Sequence, residues 1–284
     1  MSLLDRIRAC NAHDLSDFLP FHVAGQQVGW VKRDFVAHLR AFTEVFSMSD
    51  GRISLAPSLA DFETRSAALG QVARRLAQDG VVTGWRDELY PACAAFDAPA
   101  LFAIERAASA RFGLRSFGVH LMGYVGSGED MDLWVARRSA DKATGPGMKD
   151  AFVGGGIAHG AGPRQVMIKE AWEEAGVPGA LAERAKAVGE VRFAYQSDQG
   201  IDFGLDYQYE LELPADFEPV NQDGEVAAFY RWPARDVLAQ IETGSDYFYD
   251  ANLAFIAFFL RHGLVTPADP DYEAIAAGLM GAAV

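Results

Sequence analysis

Glu170, Glu173 and Glu174 lie close together in the stretch KEAWEEAG. At about 100° per residue they fall within roughly a third of a helix circumference. Ile168, Ala171, Trp172 and Ala175 gather on the other side. Gly154, Gly155 and Gly156 stand upstream, and their lack of side chains lets backbone groups approach a ligand closely. Carboxylates beside such a stretch are hard oxygen donors of the kind Mg²⁺ accepts together with substrate phosphates. A solvated acidic helix face has the same composition, since like charges at this spacing cost only about 0.2–0.5 kcal/mol per pair. The glycines upstream favour the metal reading. Pro163 suits the first helical position and Gly176 the left-handed stop.

Other side chains could join this chemistry. Glu225, in QDGEV, is a further ligand or base, or else an exposed hairpin carboxylate. Lys142 could meet a phosphate, or simply be solvated; Asp150 lies just before the glycine strand. His159 sits in the glycine-rich loop, where a structural or exposed role is the commoner one. Earlier in the chain stand Arg65, Trp85 and Arg86. An arginine can grip a terminal phosphate bidentately, and an aromatic can stack on a cationic heterocycle. The alternative is surface arginines and a core tryptophan. Asn252 heads an apolar run and reads as a helix cap.

The elements that must position these residues follow from pattern. Residues 4–12, 34–42, 61–78 and 99–112 read as helices; in the third, Leu69, Val72 and Leu76 keep helical spacing. Residues 18–31 read as a hairpin turning at Ala24 and Gly25, 52–55 as a strand, and 85–90 as a strand stopped by Pro91. From Arg115 the pattern changes. SFGVHLMGYV and DLWVARRS read as strands, a loop leads into FVGGG, and the acidic helix follows. Strands over 188–195, 205–213 and 226–232 and helices over 234–242 and 252–261 complete this part. Residues after Pro267 read as a loosely constrained tail. The expected division is 1–115, 116–265 and a tail over 266–284.

Composition narrows the function. The chain has 284 residues, half of them hydrophobic, ample for a sizeable core. A net charge of −14 argues against nucleic acid or an anionic membrane as partner. Cys10 and Cys93 alone make neither a disulfide scaffold nor a metal site, which fits a reducing cytoplasm. MSLLDRIRACNAHD offers no signal-peptide core, and the most apolar run, 251–260, is too short to span a bilayer.

The stretch VGGGIAHGAGPRQVMIKEAWEEAGV resembles the Nudix box, G-x5-E-x7-R-E-U-x-E-E-x-G-U, with U a bulky apolar residue. It matches at Gly155, Glu170, Glu173, Glu174, Gly176 and Val177. It departs at Ala161, where the family has Glu, at Lys169, where it has Arg, and at the small Ala171. WVARRSADKATGPGMKDAFVGGGI, YELELPADFEPVNQDGEVAAFYRW and NLAFIAFFLRHG resemble a narrower Nudix group. That group carries an extra N-terminal domain and is related to the C-terminal half of yeast-type thiamine pyrophosphokinase. FHVAGQQVGWV and VTGWRDELYP fit its companion domain, and its box often lacks the early Glu and carries Lys.

The resemblance implies an α/β fold, a Nudix α/β/α sandwich with an additional N-terminal α+β domain. It implies a Mg²⁺-dependent pyrophosphohydrolase, with Mn²⁺ as a substitute. The implied metal ligands are Glu170, Glu173, Glu174 and the Gly154 carbonyl. Glu170 is a ligand or the general base, Lys169 positions it or meets substrate, and Glu225 assists. Lys142, Gly155, Gly156, Arg65, Trp85 and Arg86 are the expected substrate contacts. The implied substrate is a thiamine diphosphate analogue, an oxidised or damaged form, cleaved to its monophosphate and phosphate. A nucleoside diphosphate derivative such as ADP-ribose, or a non-catalytic ligand-binding regulator, are the alternatives. Expected partners are the small-molecule diphosphate and, at most, a second copy of the chain in a homodimer.

Overall fold

The computed structural model describes residues 1–244 and 246–281. In chain order the elements are α1 (Leu3–Cys10), β1 (Phe18–Val23), β2 (Gln26–Lys32), α2 (Arg33–Leu39), β3 (Phe46–Ser49), β4 (Arg52–Leu55), α3 (Phe62–Gln78), β5 (Leu89–Cys93), β6 (Ala100–Glu105) and α4 (Arg106–Ser109). There follow β7 (Arg115–Val125), β8 (Asp132–Arg138), β9 (Lys149–Asp150), β10 (Val153–Gly156), α5 (Pro163–Ala175), α6 (Gly179–Ala182), β11 (Lys186–Ser197), β12 (Gly200–Glu212), β13 (Val226–Pro233), α7 (Ala234–Thr243), α8 (Tyr249–Arg261) and α9 (Tyr272–Gly278). No helix among the described residues is long and apolar enough to cross a membrane.

The first part is α+β. A four-stranded sheet runs β2-β1-β4-β3, and β5 pairs with β6 beside it. The hairpin expected over 18–31 is present. Ala24 and Gly25 both take positive φ, 50° and 80°, as a tight two-residue turn requires. Phe21, Phe102 and Phe112, with Ile53 and Leu69, fill the core between this sheet and α3.

The second part is an α/β/α sandwich around a seven-stranded sheet of order β11-β12-β7-β8-β13, with β10 on β7 and β9 on β8. Alternation along β7 assigns its two faces. Val119 and Leu121 pack toward α5 with Val166, Met167 and Ala171. Met122 packs on the opposite face, with Phe255 and Phe258 of α8.

Three expectations are corrected. Residues 99–112 are not one helix: β6 is a strand, followed by the short α4 and a 3₁₀ turn. Phe102, Ala103 and Ile104 are buried in succession, and a short apolar run buried on both faces has no period to tell strand from helix. The strand expected over 85–90 is displaced to β5, and Pro91 lies inside it, tolerated in a two-stranded pairing with a free edge. Residues beyond 266 are not a loose tail. Ile275 and Leu279 are buried in one cluster with Leu3, Leu4 and Ile7 of α1. Thus α1 packs with the core of the second sheet, and Arg6 Nε donates to the Ile241 carbonyl at 2.8 Å.

Ile275→Ala is expected to lower stability by about 2 kcal/mol, the low end for emptying a buried aliphatic site. Urea unfolding measures it, and an unchanged midpoint would mean that α9 is not docked in solution.

Candidate functional site

The site is built where α5 crosses β10. β10 lies antiparallel to β7, with Gly154 opposite His120, Gly155 opposite Val119 and Gly156 opposite Gly118. At Gly155 a methyl group would run into the Glu170 side chain, and at Gly156 one would fall on the Tyr90 hydroxyl. Glycine at both places therefore lets an acidic helix on one side and the first part of the chain on the other close on the same strand.

α5 starts at Pro163 and stops at Gly176, whose φ is 64°. Its end is tied down by a later loop. Val220 N–H donates to the Ala175 carbonyl at 3.1 Å and Gln222 N–H to the Glu173 carbonyl at 2.9 Å. Asn221 Nδ2 donates to the Glu174 carbonyl at 3.2 Å. Carbonyls left without partners at a helix end thus become anchors. The anchored loop carries Glu225, whose own N–H donates to Asp223 at 2.8 Å.

Glu174 is 5% exposed. Its Oε2 accepts from Gly154 N–H at 2.9 Å, and Lys142 Nζ lies 3.6 Å from its Oε1. Burial pushes this carboxyl up to about 8, against Lys142 and the Gly154 N–H, which favour the charged form. Lys142 also pairs with Glu225. Burial opposes ionisation of Glu225, yet Lys142, Arg86 and Arg106 together hold it below the usual carboxylate range. Lys169 Nζ lies 3.1 Å from Glu170 and 2.6 Å from Glu173. Burial pushes Glu170 upward, with Lys169 opposing. Burial would also lower the Lys169 ammonium, but its bonds to Glu173 and Glu170 outweigh this and keep it charged.

The structure therefore brings together Gly154, Gly155, Glu170, Glu173, Glu174, Lys169, Lys142 and Glu225. Four carboxylates share two ammonium groups, a deficit that a divalent cation suits, and every donor is a hard oxygen. The residues fit Mg²⁺ or Mn²⁺ in chemistry.

Other expected residues stand apart. The Arg65 guanidinium donates to the carbonyls of Leu59 at 3.0 Å, Ala60 at 2.6 Å and Leu101 at 3.3 Å, so it braces its own fold and has no fork left for a phosphate. Trp85 packs on the first core and donates to Asp87 at 2.7 Å. Arg86 is exposed, and its charge reaches Glu225. His159 stacks on Phe62 at 4.9 Å. Asp150 pairs with Arg138 at 2.6 Å. Asn252 lies inside α8 and donates to the Phe248 carbonyl at 2.9 Å; it does not cap the helix. Sequence reasoning missed Tyr90 and Arg106. Arg106 salt-bridges Glu88 at 2.9 Å and lies 5.3 Å over the Tyr90 ring. Both fall in segments whose strands were misplaced, which hid the side on which they emerge.

Comparison with known proteins agrees with this geometry. Residues 120–251 match the family model described as NUDIX domain, and residues 2–116 match a domain of unknown function, DUF4743. Nudix hydrolase 24, chloroplastic, of Arabidopsis thaliana is 40% identical over 276 residues, covering 95% of this chain and 75% of that protein. Nudix hydrolase 20, chloroplastic, of the same plant is 37% identical over 279 residues, 94% of this chain and 75% of that one. An uncharacterized protein of Saccharomyces cerevisiae, YJR142W, is 28% identical over 271 residues, 87% of this chain and 78% of its own. Nudix hydrolases 37–40% identical over most of the chain, together with the NUDIX domain match, support a pyrophosphohydrolase. The chain belongs to the Nudix hydrolase family.

Gly155→Ala is expected to lower turnover at least about tenfold and to lower the melting temperature, because the added methyl would fall on Cγ and Cδ of Glu170 and press that side chain, and α5 with it, away from the strand. Steady-state kinetics paired with a thermal melt would check it; full activity would remove Glu170 from the site.

Proposed function

We propose that the chain is a Mg²⁺-dependent hydrolase of a small-molecule diphosphate, most specifically an oxidised or damaged analogue of thiamine diphosphate. The reaction adds water across the phosphoric anhydride and yields the monophosphate and inorganic phosphate. The observation that carries hydrolysis is the placement of Glu170 and Glu174 on the glycine strand, with Glu173 and Glu225 joined to them through Lys169 and Lys142. Support for the substrate is the resemblance of the stretches around the box to the thiamine-linked group.

Glu170, Glu173, Glu174 and the Gly154 carbonyl would hold the cation, which supplies charge neutralisation at the phosphates and a more acidic bound water. The chain's own residues do the rest. Glu174 fixes the Gly154 peptide through its N–H. Lys169 fixes Glu170 and Glu173 relative to each other. As an ammonium it supplies charge without the bidentate fork of an arginine. Lys142, held between Glu174 and Glu225, is a point charge ready for a phosphate oxygen. Arg86 and Arg106 extend positive charge from the first part of the chain toward the same place.

Three measurements test this reading. Phosphate release from a panel including oxidised thiamine diphosphate, thiamine diphosphate and ADP-ribose, with Mg²⁺ and with chelator, should rank the oxidised compound first and vanish with chelator. Glu174→Gln should lower kcat by about two orders of magnitude or more, as loss of a preorganised charge does. Arg86→Ala should lower kcat/KM for the preferred compound and for generic diphosphates alike, because the charge it extends toward the phosphates is lost. Preference for ADP-ribose would transfer the chain to the nucleotide substrates.

A further inference from the structure

Behind the glycine strand, on the face of the sheet away from α5, a second cluster stands that the site above does not use. His120 comes from β7, Asp206 from β12 and Asp250 from the first turn of α8. One ligand atom from each lies within 4.8 Å of the others. His120 and Asp206 are 5% and 6% exposed.

Their polar atoms lack partners. His120 Nδ1, Asp206 Oδ2 and Asp250 Oδ1 are buried without a hydrogen bond, and so is Oε1 of Gln208, the strand neighbour of His120. A buried polar atom left unsatisfied has given up its hydration with no bond in return. Three elements that each aim an orphaned atom at one place need something there to accept them. His120 Nδ1 and Asp206 Oδ2 are 3.7 Å apart, too far for a hydrogen bond. Donors about 2.0–2.2 Å from one ion stand roughly 3–4 Å from each other, so this gap suits two ligands sharing a cation. Among the described residues no lysine or arginine pairs with Asp206 or Asp250; the nearby Arg138 is spent on Asp150.

Room for the cluster is made by backbone. A methyl at Gly118 would fall on Asp206 Oδ1, and one at Gly154 would meet His120 Cδ2 at 3.2 Å. Two carboxylates and a neutral imidazole balance a divalent ion. The imidazole favours a borderline ion such as Zn²⁺ or Mn²⁺ over Mg²⁺.

We propose that His120, Asp206 and Asp250 form a second divalent-cation site, distinct from the helix carboxylates, that takes a Zn²⁺-class ion and pins α8 to β7 and β12 directly behind Gly154. The site stands independently of the substrate assigned above.

The test uses the full chain, stripped with chelator, reloaded with Zn²⁺ or Mn²⁺ and dialysed before metal analysis. Glu173→Gln/Glu174→Gln, which disables the helix carboxylates, should retain about one equivalent of Zn²⁺ and melt higher with it. Adding Asp206→Asn or Asp250→Asn should weaken that retention by about tenfold or more and abolish the shift in melting. Zn²⁺ retained equally by both asparagine variants, or lost with the helix pair alone, overturns the proposal. X-ray absorption on the Zn²⁺-loaded helix-carboxylate variant needs no change in the cluster and decides the matter even if the asparagine variants unfold. One imidazole among oxygen ligands is expected, and an all-oxygen shell refutes the site.

Discussion

The structure depends on one close approach, that of an acidic helix to a strand without side chains. Gly154 donates its N–H to Glu174, and the carboxylate that accepts it is 5% exposed. That single bond holds the strand at the level of the helix's charged side. A side chain on Gly155 would lever α5 away through Glu170, and one on Gly156 would lever away Tyr90 and the first part of the chain. Three consecutive glycines, a poor choice for a strand on propensity alone, are therefore what allows three layers to meet.

Gathering carboxylates on that approach creates an electrostatic problem that the chain solves only in part. Lys142 and Lys169 each bridge two acids, and the helix end is steadied by backbone bonds from the loop carrying Glu225. An ammonium is a mobile point charge that a cation can displace, unlike the rigid fork of an arginine. Lysine in both places keeps the cluster folded while leaving its oxygens available.

Much of this was legible in the sequence because it rests on local rules. The glycine run, Pro163, Gly176 and the spacing of the glutamates fix α5 and its charged face without any tertiary knowledge. The hairpin at Ala24 and Gly25, and α3 with its regular apolar spacing, were legible for the same reason. What was lost lay where burial is two-sided. β6 reads as helix or strand equally well, and with it went the direction in which Arg106 emerges. β12 shows what pattern alone leaves out. Asp202, Asp206, Gln208 and Glu210 alternate with apolar residues, the pattern of a strand with one wet face. Instead α8 covers that face, and Arg261 and His262 satisfy Glu210 at 2.7 and 2.9 Å. Arg65 was misjudged because a guanidinium that binds carbonyls and one that binds phosphate look identical in sequence.

The two parts of the chain are joined too closely for the first to be a passive attachment. Its Tyr90 lies against Gly156, its Phe62 stacks on His159 of the glycine loop, and its Leu89 carbonyl accepts the His159 N–H at 2.7 Å. Phe96 packs edge-on against Phe117 at 5.6 Å, and Arg115 donates to the Cys93 carbonyl at 3.3 Å. Conversely, α1 leaves the first part and packs under α8 with Leu3, Leu4 and Ile7. Each part thus supplies a piece of the other's core or site. The loop between β10 and α5 is held by the first part of the chain as well as by the second. Its shape is set by contacts that a lone sandwich would lack.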